Sequence, residues 1–424
     1  MTHAAFSLIR SLALCLALFM GAGVFVADAQ TESVIHSFGS GSNKDGVNPS
    51  GGLVSDSTGA LYGLTAGGGA HNPGAIYRLS PAAGGTWKQN IIYSFTDGAD
   101  GGVPYGSLLL GTEGRTLYGT ASRGGALYGV VFELTHPTGS GGAWTETVLY
   151  TFTGGNDGQT PMSGVISNGR GALYGTTSGG KYLGGVVFRL SPPKPGGSWT
   201  ESTLYSFTGK IDGSAPSGLV IDSTGALYGT TPTGGQNGHG AVFKVSPPSG
   251  GGPWTETVLY SFTGGSDGGY PAASLIFDGS GALYGTTMQG GTGLCYTGDI
   301  LTYCGTVFKL TPPGTQGGDW QESVLYSFLG GTDGELPQSN LVFDNSGALY
   351  GTAEGGAYGN GTVFMLTPPA NQGDAWTEQI LHSFGAPGDG DLPEGGVLEV
   401  GGSFYGATWG GGSKGIGTIF EVTP

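Results

Sequence analysis

Residues 171–180 read Gly171-Ala172-Leu173-Tyr174-Gly175-Thr176-Thr177-Ser178-Gly179-Gly180, and near-copies of the stretch recur along the chain, as at 225–231 and 281–287. Each copy sits in a larger unit. A run such as Trp254-Thr255-Glu256-Thr257-Val258-Leu259-Tyr260-Ser261-Phe262 leads into a loop holding Asp-Gly and a proline. A second run, the Leu-Tyr-Gly-Thr stretch, a glycine loop and a run such as Thr306-Val307-Phe308-Lys309-Leu310 follow. The phenylalanine that closes the first run recurs at Phe38, Phe95, Phe152, Phe207, Phe262, Phe328 and Phe384, so seven copies fill the chain. Self-similarity at a steady period marks a repeat architecture.

Every unit contains four short runs of β-branched, aromatic and leucine residues bounded by Gly, Pro, Asp and Ser, which is a strand-and-turn pattern. Because strand side chains alternate, Trp254, Val258, Tyr260 and Phe262 are predicted on one face and Thr255, Thr257, Leu259 and Ser261 on the other. The unit is therefore expected to be a four-stranded antiparallel sheet. The last unit stops after the run 417–424, short of a fourth strand, while 32–38 offers a fourth strand with no sheet before it. Together they complete one unit. A ring needs such closure because it hides strand edges, whereas a solenoid would want dissimilar caps. The expected fold is all-β, a seven-bladed β-propeller over residues 30–424 closed by its N-terminal strand. Gly175 is expected to admit a neighbouring backbone and Tyr174 to fill the space between blades. Asp222 to Gly225 and Asp344 to Gly347 read as hairpin turns, with Asp bonding its own turn amides and Gly supplying positive φ.

Composition agrees. Glycine supplies 91 residues and only 10% of the chain is charged, yet aromatics reach 11%, which disfavours a disordered chain; the absence of glycine at every third position excludes collagen. A net charge of −16 repels phosphate backbones, so no nucleic-acid partner is expected. Residues 1–29 stand apart: Arg10, an apolar run over 11–26, and Ala27-Asp28-Ala29 match a cleaved secretory signal, predicting a secreted, periplasmic or extracellular protein. The run is shorter than the roughly 20 residues needed to span a bilayer, and no later segment qualifies, so no membrane span is expected in the mature chain. Cys295 and Cys304 then remain as a pair, expected to form a disulfide closing a local loop.

The Leu-Tyr-Gly-Thr-Thr stretch followed by paired glycines, the run 305–310, and Leu-Tyr-Ser-Phe-Thr-Gly-Gly with Asp-Gly, as at 259–268, resemble the GloVer tandem-repeat proteins of bacterial envelopes. The resemblance covers essentially residues 32–424 and implies repeat architecture and export while naming no reaction. The Asp-x-x-Gly-x-Leu-Tyr hairpin is also similar to that of NHL and gluconolactonase-type propellers.

For chemistry, the loops entering each unit carry Asp45, Asp100, Asp157, Asp212, Asp267, Asp333 and Asp389, each followed by Gly and a nearby Pro. They are expected to cap turns; calcium is the weaker alternative, since calcium β-rolls need contiguous repeats. Elements present in all units serve folding, so function is sought where symmetry breaks. His71, Arg123, Lys181, Tyr182, Lys210, His239, Tyr358 and Trp409 decorate the same predicted loop face and are the ligand-binding candidates. His36 and His382 replace tyrosines in outer strands and read as packing residues, and no metal set is assigned. No His-Glu-x-x-His motif occurs and no Gly-x-Ser-x-Gly nucleophile elbow, a strand-to-helix turn, is expected, so catalytic residues are unassigned. Glu354, Glu394 and Glu399 are unusual acids. The expected function is non-catalytic binding of a carbohydrate or cell-envelope component. The alternatives are a hydrolase, lyase or lactonase with an acid- or metal-based site at the channel mouth, and a structural or display protein.

Overall fold

The computed structural model describes residues 31–39, 43–111, 113–138, 142–297, 300–315, 317–371 and 373–424; the leader expected at 1–29 lies outside the described residues. Seven four-stranded antiparallel sheets form a ring, a seven-bladed β-propeller. Blade 4 is typical, running outward from Leu219–Ile221 through Leu227–Thr231 and Ala241–Ser246 to Thr255–Ser261. Blade 7 takes Gly390–Val400, Ser403–Gly411 and Thr418–Thr423 from the C-terminus and Thr31–Ser37 from the N-terminus, with Val34 opposite Phe420 and Ser37 opposite Thr418. Among the described residues no helix is long and apolar enough to cross a membrane.

The same seam joins every pair of neighbouring blades. The repeated phenylalanine of one blade meets an aromatic ring on the third strand of the next at 4.9–5.2 Å between centroids, edge to face, from Phe95 on Phe132 around to Phe38 on Tyr77. Such pairs are worth about 0.5–1.5 kcal/mol each beyond area burial. Below them a glycine seats the next blade's proline: a Cβ on Gly185, at φ +87°, would lie 2.6 Å from Pro216 Cδ. The residue before that proline is left-handed in all seven blades: Asn48, Val103, Thr160, Ala215, Tyr270, Leu336 and Leu392. This conformation is unusual for non-glycine residues and costs of order 1–3 kcal/mol. Its return is a backbone hydrogen bond across the seam, for example Thr160 N–H to the Tyr128 carbonyl at 2.8 Å and Ala215 N–H to the Gly184 carbonyl at 2.8 Å.

Two local expectations need correction. In blade 4 Val242 pairs with Tyr260 but Phe243 pairs with Val258, so a β-bulge at Leu259 interrupts the alternation. Trp254 packs toward blade 3, while Leu259, Tyr260 and Phe262 pack toward blade 5. An extra residue re-aims everything beyond it. Gly175 does not admit a neighbouring backbone either. It pairs with Phe188, whose ring lies where a Cβ would stand, 2.5 Å away, so the glycine is a slot for a cross-strand aromatic. Tyr174 does pack between blades 3 and 4. Close backbone approach occurs instead on the innermost strands, where Gly51 abuts the Gly106 carbonyl and Gly395 abuts Gly51.

Candidate functional site

The seven inner strands surround a cavity of about 660 Å³ on the ring axis. Its wall includes Ala215, Pro216, Ser178 and Pro232, which lie where inner strands begin and second strands end, so it opens on the face of the Asp-Gly-Pro loops. The residue following each loop proline decides the lip. It is Ser50, Tyr105, Met162, Ala272, Gln338 and Glu394 in blades 1, 2, 3, 5, 6 and 7, and blade 4 is one residue shorter there. The large polar members Gln338, Glu394 and Tyr105 lie on the arc running from blade 6 through blade 7 to blade 2; Ser50 of blade 1 is buried and donates to the Pro104 carbonyl, and the apolar Met162 stands on blade 3.

On that arc Gln338 Nε2 donates to Glu354 Oε1 at 2.8 Å, and Asn340 Oδ1 accepts the Ser274 N–H at 2.8 Å. Burial, and then the neighbouring Glu354, push the Glu394 carboxyl up to about 7. Glu354 is raised by burial and by Glu335, and Tyr105 by burial and by Glu394. Two carboxyl groups held together out of water cannot both ionise cheaply, so this corner is proton-rich near neutrality. Tyr105 also lies beside Trp409, 6.5 Å between ring centroids and tilted 35°, while Asn48 Nδ2 fixes the Trp409 carbonyl at 2.9 Å.

The sequence-derived candidates are more scattered. None of the eight forms part of the cavity wall among the described residues; Trp409 comes nearest, through Tyr105. Tyr182 and Tyr358 are exposed on the loops, with Lys181 Nζ 5.2 Å from the Tyr182 ring. Tyr358 leans on Gly385, and His239 on Gly264 with its ring 5.8 Å from Tyr270. His71, Arg123 and Lys210 are exposed. Tyr105, Met162, Gln338 and Asn340 were not singled out from sequence. Registering the repeats on the proline and comparing the next residue would have found the first three.

All seven loop aspartates accept a backbone amide of their own turn, such as Asp157 Oδ2 from Thr153 N–H at 2.8 Å and Asp45 Oδ2 from Gly39 N–H at 2.9 Å. Five also accept the phenol of the preceding outer strand, as from Tyr150 at 3.0 Å, and Asp389 faces His382 instead. Their carboxylates are thus engaged by the turn itself. The hairpin aspartates behave likewise: Asp222 accepts the N–H groups of Thr224 and Ala226. Cys295 and Cys304 form a disulfide in an added hairpin, Leu294–Thr297 with Ile300–Tyr303, which packs on Gly330 and contributes nothing to the cavity wall among the described residues.

No curated protein matches the sequence. Among solved structures, the chain is similar to the extracellular domain of a one-component system from B. thetaiotaomicron, at 10% identity and a TM-score of 0.51, covering 92% of this chain and 40% of that one. The chain thus spans less than half the length of that relative. The polysaccharide lyase Uly1 matches at 10% identity and TM-score 0.49, over 91% of this chain and 92% of that one. The periplasmic gluconolactonase PpgL of Pseudomonas aeruginosa matches at 14% and 0.44, over 78% and 84%. The first likeness bears on the fold alone, and the other two carry no argument. The model of the Gloeobacter/Verrucomicrobia repeat matches residues 21–194, 126–303 and 293–424. Those matches run through the blades just described, and the chain belongs to the Gloeobacter/Verrucomicrobia repeat family.

Proposed function

We propose that this chain is an exported, non-catalytic binding propeller that takes a carbohydrate, free or carried by a cell-envelope component, at the channel mouth. One observation carries the reading. In a ring whose seams repeat seven times and whose cavity wall repeats small Ser and Gly residues, the larger polar exceptions Tyr105, Gln338, Asn340 and Glu394, with the adjoining Trp409, collect on one arc. A sugar offers an apolar ring face for aromatic contact and hydroxyls for amide and carboxyl partners, which is the mixture present here. Exposed Tyr182 and Tyr358 are proposed to extend the contact beyond the mouth, and export rests on the leader pattern at 1–29. The test is a glycan array followed by calorimetry with the best hit. Tyr105→Ala and Gln338→Ala should each weaken binding about tenfold, the loss of roughly 1.4 kcal/mol. Absence of binding to any envelope polysaccharide, or binding indifferent to both substitutions, overturns the proposal.

A second reading is favoured by Glu394 alone. A carboxyl near 7 beside a tyrosine is suited to general acid-base work on a glycoside or lactone. Product release from the bound polymer by the wild type, abolished in Glu394→Gln with binding retained, would establish it.

A further inference from the structure

The interface between blades 6 and 7 departs from its neighbours in a way that creates a set of metal ligands. At five other interfaces the outer-strand tyrosine, turned by its bulge toward the next blade, donates to the loop aspartate, with a glutamate of the next blade's outer strand close by. Tyr260, Asp267 and Glu322 are one such set. Blade 6 has the same bulge, with Val363 opposite His382 and Phe364 opposite Ile380, but here the residue turned outward is an imidazole. His382 Nε2 lies 3.0 Å from Asp389 Oδ2, and Glu32 of the closing strand brings its carboxylate to the same point. The three ligand atoms all fall within 4.8 Å of one another. Glu32 Oε1 is shut off from solvent with no hydrogen-bond partner, as are the matching atoms of Glu146, Glu256, Glu322 and Glu378, so the imidazole alone sets this interface apart.

We propose that Glu32, His382 and Asp389 bind one divalent transition-metal ion of the zinc class, which ties the N-terminal strand to blade 6 and secures the ring. The donors fit. Zinc takes imidazole nitrogen and carboxylate oxygen at about 2.0–2.2 Å, so two tetrahedral ligands lie about 3.3 Å apart, close to the His382–Asp389 separation. A dication neutralises two carboxylates crowded in a half-buried place, which elsewhere in the ring only a proton can do. The phenol of the other interfaces is no substitute, because it keeps its proton and offers no free lone pair of comparable basicity at neutral pH. His382 is only partly covered, its side chain 21% exposed against 4% for Asp389, which leaves a fourth position open to water. Glu32 also belongs to the strand whose docking closes the propeller, so the ion bridges segments from the two ends of the chain.

The opposite flank of blade 7 is an internal control. There His36 faces Asp45, but the glutamate is replaced by Gln89, whose Nε2 donates to the Asp45 carbonyl at 3.0 Å. A carboxamide is a poor zinc ligand, so that flank should not take up the ion.

The experiment uses untagged protein stripped with EDTA and titrated with zinc chloride by calorimetry, alongside melting curves with and without the ion. One ion per chain is expected, with a melting point raised by about 3 °C at a hundredfold excess over Kd. His382→Tyr restores the residue of the other interfaces and should fold unaided, yet lose uptake at least tenfold. Glu32→Gln should do the same, while His36→Tyr should leave uptake unchanged. No uptake by the wild type overturns the proposal, as does uptake that survives His382→Tyr, since that would place the ion on surface carboxylates.

Discussion

The seam between blades and the lip of the channel are built from adjacent residues of the same loop, yet they obey opposite rules. The proline, the left-handed residue before it and the glycine beneath it have the same geometry at every interface. The next residue along is Ser50, Tyr105, Met162, Ala272, Gln338 or Glu394 and is missing from blade 4. A ring of seven wedges must solve one packing problem seven times, and any seam that failed would open the circle. Nothing in the packing asks the lip to be uniform. What varies immediately after an invariant element is free to serve recognition: Tyr105, Met162, Ala272, Gln338 and Glu394 all line one cavity, while Ser50 is buried and donates to the Pro104 carbonyl.

The sharpest way to break the contrast is to damage one seam. Gly185→Ala puts a Cβ at φ +87° against Pro216 and the Thr177 carbonyl, adding left-handed strain to a clash that backbone cannot relieve. A loss of about 3–5 kcal/mol is expected in urea unfolding. A loss under 1 kcal/mol would mean that the seam tolerates what its sevenfold geometry forbids. Next in size is Tyr260→Phe, which removes the phenol hydrogen bond to Asp267 but leaves the ring in place and the Thr263 N–H still bonded. About 1 kcal/mol should be lost.

Much of the seam was legible in sequence, because a ring repeats its signals. The strand order, the closing pair of termini, the turn aspartates and the disulfide all follow from residue types whose local chemistry is unambiguous. The bulge at Leu259 was not legible. A bulge inserts a residue without a composition of its own, so the alternation across Val258 and Tyr260 still looked regular while the side chains beyond it changed faces. Gly175 was misread for a related reason: a glycine announces missing volume but not which neighbour fills it, and Phe188 does so from the next strand. Tyr105, Met162 and Gln338 are ordinary residues until registered against the proline, and the meeting of Glu32 with His382 joins positions at opposite ends of the chain.

The bulge has a titration consequence that sharpens the comparison further. Beside the phenol or imidazole that it re-aims, six of the loop aspartates lie near the next blade's glutamate, and burial, then that aspartate, push Glu32, Glu146, Glu256, Glu322 and Glu378 up to about 7. Glu201 also reaches about 7 by burial, despite a hydrogen bond from Thr203 that pulls the other way. Between the usual 4.5 and about 7 these groups keep a proton in the fold that the unfolded chain has lost, so their contribution is full below 4.5 and fades as pH rises. Asp56, Asp157, Asp222, Asp278 and Asp344 are raised by burial, but hydrogen bonds outweigh it and hold them below 3.8, so stability falls again in stronger acid. The melting point should therefore peak near pH 4–5 and decline toward pH 8. Glu256→Gln, which copies the natural Gln89, should raise the pH 8 melting point by about 1 °C and leave that at pH 5 unchanged. An identical shift at both values would assign the effect to packing and not to the proton.

At the lip the expected effect on stability is the smallest of all. Tyr105→Phe, which keeps the ring beside Trp409, and Glu394→Gln alter only polar groups that face the cavity, outside the repeated aromatic pairs and the Gly-Pro contact. Unfolding free energies should stay within about 0.5 kcal/mol of wild type, the usual range for substitutions away from packed or strained features. Glu394→Gln should even be neutral to slightly favourable at pH 8, because the wild-type carboxyl, held near 7 beside Glu354, is then largely ionised where the amide carries no charge. Urea unfolding at pH 8 checks both. A large loss from either substitution would mean that the lip bears structural load after all, and the separation between an invariant seam and a free lip, from which the assignment of the cavity to recognition is drawn, would fail at its most direct test.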